Sequence, residues 1–181
     1  MLFDFGQRPG GIIQTAFTVP DLPSAMHEWT NLYGIGPWFV IESFRGDDPI
    51  YRGQPCEAEV MIGFAFSGSM MIELIQPKDD NPSVYKEVID RTGYGFHHFG
   101  IGSPDFDASM KEYAAGGYPQ AFSARAPTGD RLCYFDMQGK APGFIEVIEV
   151  SDGCEAFFAN MYRAAIGWDG ERPVRDAASG E

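Results

Sequence analysis

Short apolar runs alternate with polar turns along the chain, and one such pattern occurs twice. The stretch GIIQTAFTVPDLPSAMHEW begins at Gly11 and GFHHFGIGSPDFDASMKEY begins at Gly95. Their offset of 84 residues places Gly11 on Gly95, Pro20 on Pro104, Asp21 on Asp105, Met26 on Met110 and Glu28 on Glu112. Each copy has period-two alternation, a Pro-Asp punctuation and then a helical period, which predicts a strand leading into a helix. Leu22, Met26 and Trp29 form the apolar stripe of the first helix, and Phe106, Met110 and Tyr113 that of the second. Gly34 and the Gly116-Gly117 pair supply the stops.

Three β-type segments follow each helix. They are Trp38 to Phe44, Glu57 to Phe66 and Met70 to Gln76 in the first copy, and Gln120 to Ala124, Arg131 to Asp136 and Phe144 to Val150 in the second. The last segments correspond, Ile72-Glu73-Leu74-Ile75 with Ile145-Glu146-Val147-Ile148, at an offset of 73 instead of 84. The first copy therefore carries extra residues, placed in a loop from Arg45 to Pro55. The expected class is α+β: a βαβββ module over 10–80, a linker helix over 81–93 capped by Asn81, a second βαβββ module over 94–150, a terminal helix over 151–168 and a mobile tail over 169–181.

Composition narrows the partners. The chain has 181 residues, 44% of them hydrophobic and 22% charged, enough apolar material for a packed core. Its net charge of −13, with cations scattered along the chain, disfavours nucleic acid. No apolar run is long enough to cross a bilayer, and the start, MLFDFGQRPGG, does not read as a signal peptide, so a cytoplasmic protein with no membrane partner is expected. Cys56, Cys133 and Cys154 are odd in number and lack metal-ligand spacing, so they read as buried thiols in a reducing compartment.

Candidate chemistry comes from the repeat. Alternation sends Ile13, Phe17 and Val19 to the helix side of the first strand and Gln14, Ala16 and Thr18 to the other side. In the second copy His97, Phe99 and Ile101 take the helix side, and His98, Gly100 and Gly102 the inward side. Glu73 and Glu146 each sit mid-strand among apolar residues, where a carboxylate is costly unless paired or bound to a metal. Any one of these residues alone suits a solvated strand face. The doubled placement argues otherwise, since a pseudo-twofold can bring Gln14, Glu73, His98 and Glu146 to one centre, an oxygen-rich set for a divalent ion. A degenerate repeat without metal is the alternative.

QTAFTVPD, MIELIQP, GFHHFGIGSPD and PGFIEVIE together resemble the vicinal oxygen chelate superfamily, which includes glyoxalase I, methylmalonyl-CoA epimerase, extradiol dioxygenases and bleomycin-resistance proteins. The resemblance spans about residues 10 to 150 and implies a curved mixed sheet around a central cavity, with the metal-ligand places on Gln14, Glu73, His98 and Glu146. NPSVYKEVIDRTGYGFHHFGI and GDRLCYFD are similar to the epimerase branch, whereas the ligand types resemble the glyoxalase I set. A dioxygenase needs two histidines and a carboxylate, and only His98 faces inward, so oxygen chemistry is disfavoured.

The resemblance implies an isomerase or epimerase that uses a divalent ion (Co, Mn, Ni, Zn or Fe) as a Lewis acid, with Glu73 or Glu146 removing a proton beside a carbonyl of a small substrate and the other carboxylate or a metal-bound water returning it. The rivals are a glyoxalase I type lyase on a hemithioacetal and a metal-free binding or resistance protein. Trp38, Phe39, Phe64, Phe66, Phe122 and Tyr134 are candidate pocket residues, and Arg125 and Arg131 candidates for a substrate anion. The overall acidity argues against a polyanionic coenzyme A ester. A homodimer is expected, with Phe157 and Phe158 on the terminal helix as its contact.

Overall fold

The computed structural model describes residues 2–178. Its elements are β1 (Ile12–Thr18), α1 (Leu22–Tyr33), β2 (Trp38–Phe44), β3 (Asp47–Tyr51), β4 (Gln54–Pro55), β5 (Val60–Ser67), β6 (Met70–Pro77), α2 (Val84–Thr92), β7 (Gly95–Ser103), α3 (Phe106–Ala115), β8 (Gln120–Arg125), β9 (Arg131–Asp136), β10 (Phe144–Glu149), α4 (Asp152–Ala165) and β11 (Val174–Asp176). Both modules contribute to one mixed sheet with the strand order β11-β2-β5-β6-β1-β7-β10-β9-β8-β3-β4. β1 and β7 pair antiparallel at its centre, and each is flanked in parallel by the last strand of its own module, β6 beside β1 and β10 beside β7.

The equivalent helices start in the same way. Asp21 accepts from the Ser24 N–H at 2.8 Å and Asp105 from the Ala108 N–H at 3.0 Å, each satisfying a donor that the first helical turn leaves open. Gly34, at φ +65°, ends α1 in the left-handed conformation. The α1 stripe of Leu22 and Met26 lies against β5 at Gly63, where a Cβ would stand 3.1 Å from the Met26 sulfur. A side chain there would require Met26 and Leu22 to give by a few tenths of an ångström. Phe106, with the half-buried Met110 and Tyr113, packs α3 on β9 and β10 in the same manner.

The sheet curls because its ends are joined by very little chain. β2 lies near one end and β3 pairs with β8 near the other, yet only Arg45 and Gly46 separate β2 from β3. The two ends must therefore face each other across the concave side. Gly46, at φ +80° with room for a Cβ only 2.6 Å from that of Ala124, makes the crossing.

Several expectations are corrected at this level. The segment from Arg45 to Pro55 is not a loop but contains the β3–β4 hairpin, because β8 of the other module offers its edge to β3. The linker helix begins at Val84, with Ser83 as its cap instead of Asn81, whose own N–H donates to Asp79. The terminal helix stops at Ala165. The expected tail is ordered as β11 along β2, with Val174 opposite Trp38, while 179–181 lie outside the described residues. Phe157 and Phe158 do not offer an outer contact face for a dimer. Their rings meet Phe64 and Phe5 edge-on at 6.5 and 5.8 Å, because the apolar inner face of the sheet needs cover and α4 supplies it.

Trp38 belongs to the other layer. Alternation along β2 puts it on the α1 side, fully buried, where its indole N–H donates to Thr30 Oγ1 at 3.0 Å. Trp38→Ala should cost about 3–5 kcal/mol of stability in urea denaturation, as expected for a large-to-small core change. Ligand binding in the folded fraction should be unaffected.

Candidate metal centre

Four adjacent central strands, β6-β1-β7-β10, contribute one polar side chain each: Glu73, Gln14, His98 and Glu146. The register explains why they meet. Ala16 of β1 stands opposite both Glu73 and His98, and its repeat equivalent, Gly100 of β7, stands opposite both Gln14 and Glu146. Small residues between the partners leave room for the tips to converge. A Cβ at Gly100 would stand 2.9 Å from that of Gln14, so the position admits no larger residue without moving the glutamine.

All four side chains are almost completely buried. His98 Nε2 lies 3.3 Å from Glu73 Oε2 and 3.1 Å from Glu146 Oε2. Gln14 Nε2 donates to Glu73 Oε2 at 2.5 Å and to Glu146 Oε2 at 3.4 Å, and lies 3.1 Å from His98 Nε2. Ligand atoms held about 2.1 Å from an ion sit roughly 3.0–3.4 Å from one another in octahedral or tetrahedral arrangements. The observed separations fit such a polyhedron, so Glu73, His98 and Glu146 form a group able to hold a metal ion. The Gln14 amide serves either state, since its NH2 donates to the carboxylates and its oxygen can face a cation.

The second imidazole has a different task from the first. The β1–β7 register shifts between Ala16 and Phe17, so the expected alternation breaks at His97. Both imidazoles consequently lie on the inward side, with their Nδ1 atoms 2.8 Å apart, which corrects the expectation that His97 faces the helix side with Phe99. His97 Nε2 lies 3.1 Å from the Val84 carbonyl, an acceptor only, and therefore donates to it. A neutral His97 then accepts at Nδ1 from His98, which leaves His98 Nε2 to face the carboxylates. Burial holds the His97 pKa well below the ordinary histidine value, with the neighbouring His98 charge adding to the effect, and this keeps the relay in its neutral form.

Charge in the centre is balanced by protons when it holds no cation. Burial, the largest influence on both groups, raises the pKa of the Glu73 carboxyl but opposes the charged imidazole. Glu146 and Glu73 nevertheless outweigh it at His98, raised to about 9. A divalent ion would replace those protons and neutralise the two carboxylates.

The centre lies in a cavity of about 710 Å³ whose walls include Ile62, Phe64, Leu132, Tyr134 and Phe157, with the C-terminal residues 174–178 also contributing. Of the pocket candidates, Phe64, Tyr134 and Arg131 line this space. Phe66 instead packs on Phe5 and Tyr162, Phe122 lies behind Tyr134, and Phe39 lies under Arg175. Arg125 donates to the Gly129 carbonyl. Arg131 is held by Glu149 through two bonds of 2.9 and 2.6 Å and by Asp107 at 2.7 Å, which leaves little of its guanidinium for an anion. Tyr85 and Asp130 line the cavity too and were passed over in the sequence. Tyr85 reaches the site because α2 folds onto β7, where its ring stacks on His97 at 5.1 Å. Its phenol is pushed well up by burial and by the charges of Glu73 and Glu146.

The chain belongs to the Glyoxalase/Bleomycin resistance protein/Dioxygenase superfamily, whose family model matches residues 13–135. Among solved structures it is similar to methylmalonyl-CoA epimerase from Mycobacterium tuberculosis, at 19% identity and a TM-score of 0.60, with 81% of this chain and 91% of that chain covered. A Streptomyces coelicolor methylmalonyl-CoA epimerase variant in complex with 2-nitronate-propionyl-CoA gives 16% identity and a TM-score of 0.56, covering 77% and 96% of the two chains. At these identities the likeness is one of fold. No curated protein matches the chain in sequence. Among the described residues, no helix is long and apolar enough to cross a membrane.

In metal-free protein with 15N-labelled histidine, NMR should find His98 titrating near pH 9 and His97 still neutral, with its proton on Nε2, where an ordinary histidine is half protonated. Protonation of His97 at or above pH 6 would contradict the relay.

Proposed function

We propose that the protein is a divalent-metal-dependent isomerase or epimerase acting on a small carbonyl compound. The observation that carries this reading is the pair of buried carboxylates, Glu73 and Glu146, set on either side of His98 within a largely apolar cavity. Gln14, Glu73, His98 and Glu146 would hold the ion. When bound, it supplies Lewis-acid stabilisation of negative charge on a carbonyl oxygen.

The chain's own groups account for the remainder. One glutamate takes the proton from the carbon beside the carbonyl, and the other, once it has drawn a proton from water, delivers it to the opposite face or to a neighbouring atom. Burial supports the Glu73 carboxyl as a base, because raising its pKa brings its basicity closer to the demand of a carbon acid. The bonds from Val84 through His97 fix the ring of His98, and the apolar walls keep bulk water from the reacting carbon. His97 has both ring nitrogens engaged, so the set offers one imidazole where an iron oxygenase triad needs two. That favours proton transfer over oxygen chemistry.

Gln, Glu, His and Glu as a ligand set also favour a second reading, a lyase acting on a hemithioacetal. Methylglyoxal with glutathione is its assay, and conversion at an enzymic rate would select it. The three unpaired, buried cysteines are consistent with a reducing, cytoplasmic setting.

The experiment for the main reading is α-proton exchange in D2O, followed by NMR over a series of small ketones, 2-oxoacids and thioesters with protein reconstituted with Co(II), Mn(II), Ni(II) or Zn(II). Glu146→Gln should lower exchange by about 10²–10⁴-fold while its circular dichroism stays native. Wild-type exchange in that variant would remove the assignment. Metal uptake should release protons and tighten as pH rises from 6 to 9, since His98 and Glu73 must be deprotonated to bind. An affinity flat across that range, or no uptake at all, would argue for a metal-free binding protein.

A further inference from the structure

We propose that Asp130 is a ligand-recognition residue of the cavity, and that the natural ligand has a compact apolar body carrying a hydroxyl or amino group that donates to the Asp130 side chain. This rests on the reading of the cavity as a substrate site and names the class of molecule it admits.

Asp130 lies at the turn between β8 and β9, is 5% exposed and lines the cavity. Its Oδ2 is buried and has no hydrogen-bond partner, the one such atom among the described side chains. Buried polar atoms are nearly always satisfied, so an acceptor left open on a cavity wall points to a donor from outside the chain.

The local structure does not need this side chain. Aspartates in turns ordinarily accept from a backbone N–H close by, holding the turn in place of a main-chain bond. Here the turn is closed by main-chain bonds, Ala126 N–H to the Asp130 carbonyl and Gly129 N–H to the Ala126 carbonyl, each at 2.8 Å. The next N–H, that of Arg131, goes to Glu149 at 2.9 Å. Nor do the neighbouring cations turn inward to meet it. Arg131 is taken by Glu149 and Asp107, and Arg125 by the Gly129 carbonyl.

The rest of the lining agrees on charge. Arg175, the other basic residue there, donates to the Arg172 carbonyl at 3.2 Å and lies over the Phe39 ring. With both cavity arginines engaged, and with the carboxyl groups of Glu42 and Asp130 on the walls in addition to the compensated pair at the centre, a neutral or cationic ligand is favoured over an anion such as a phosphorylated coenzyme ester.

The test uses benzylamine as the donor probe and phenylacetate as its anionic counterpart, measured by calorimetry with the full-length protein, with and without Zn(II). Benzylamine should bind at least about tenfold more tightly than phenylacetate, and Asp130→Asn should lose about tenfold of the benzylamine affinity. In the wild-type protein, the Asp130 carboxyl 13C resonance should move on benzylamine addition, a readout that does not depend on the variant folding. An unmoved resonance, or undiminished binding by a folded Asp130→Asn, would overturn the proposal. Benzylamine binding through Asp130 in a protein that takes up no metal would leave this inference standing and remove the catalytic reading. Metal-dependent proton exchange with no response at Asp130 would do the reverse.

Discussion

Two carboxylates and an imidazole share a point at the centre of the sheet that water scarcely reaches, and the architecture is arranged around that concentration of charge. Isolated, each ionised group would be strongly disfavoured there. Held with their tips 3.1 to 3.3 Å apart, they are compensated by shared protons or by a cation, and the Gln14 amide serves both states. Ala16 and Gly100 between the partners, and the antiparallel pairing of β1 with β7, follow from the need to bring these groups together without lowering the packing around them.

The duplicated halves supply the centre symmetrically but enclose it asymmetrically. Each half gives one residue from its first strand and one from its last, so the four-residue set arises from two related pairs. Besides the repeated strands, the walls take in features present once: α4 folded onto the inner face and β11 added beside β2. α4 and β11 lie beyond the residues matched by the family model. Of the four central residues, the family match spans Gln14, Glu73 and His98, while Glu146 on β10 also lies beyond it.

The break in alternation at His97 separates the two adjacent histidines into different roles. A regular strand would turn them to opposite faces. The register shift puts both on one side, where His97 uses one nitrogen on a backbone carbonyl and the other on His98, fixing the orientation of the inner ring. The same arrangement denies the centre a second nitrogen ligand, which links a one-residue irregularity in the backbone to the class of chemistry the site can support.

Periodicity and self-similarity were enough to identify the two modules, the stripes of α1 and α3 and the four converging polar residues, because each follows from local alternation repeated at matching places. What covers each strand face was not legible. The side chains of Trp38 and Phe64 are alike on paper, yet one packs under α1 and the other lines the cavity. Likewise, the tail at 174–178 shows no strong pattern and is ordered only because β2 offers it an edge. The inward turn of His97, the arrival of Tyr85 from α2 and the unmet oxygen of Asp130 were fixed by the tertiary structure alone. A strand's sequence specifies that it has two faces. Which layer each face meets, and which polar atom is left without a partner, depends on segments far away in the chain.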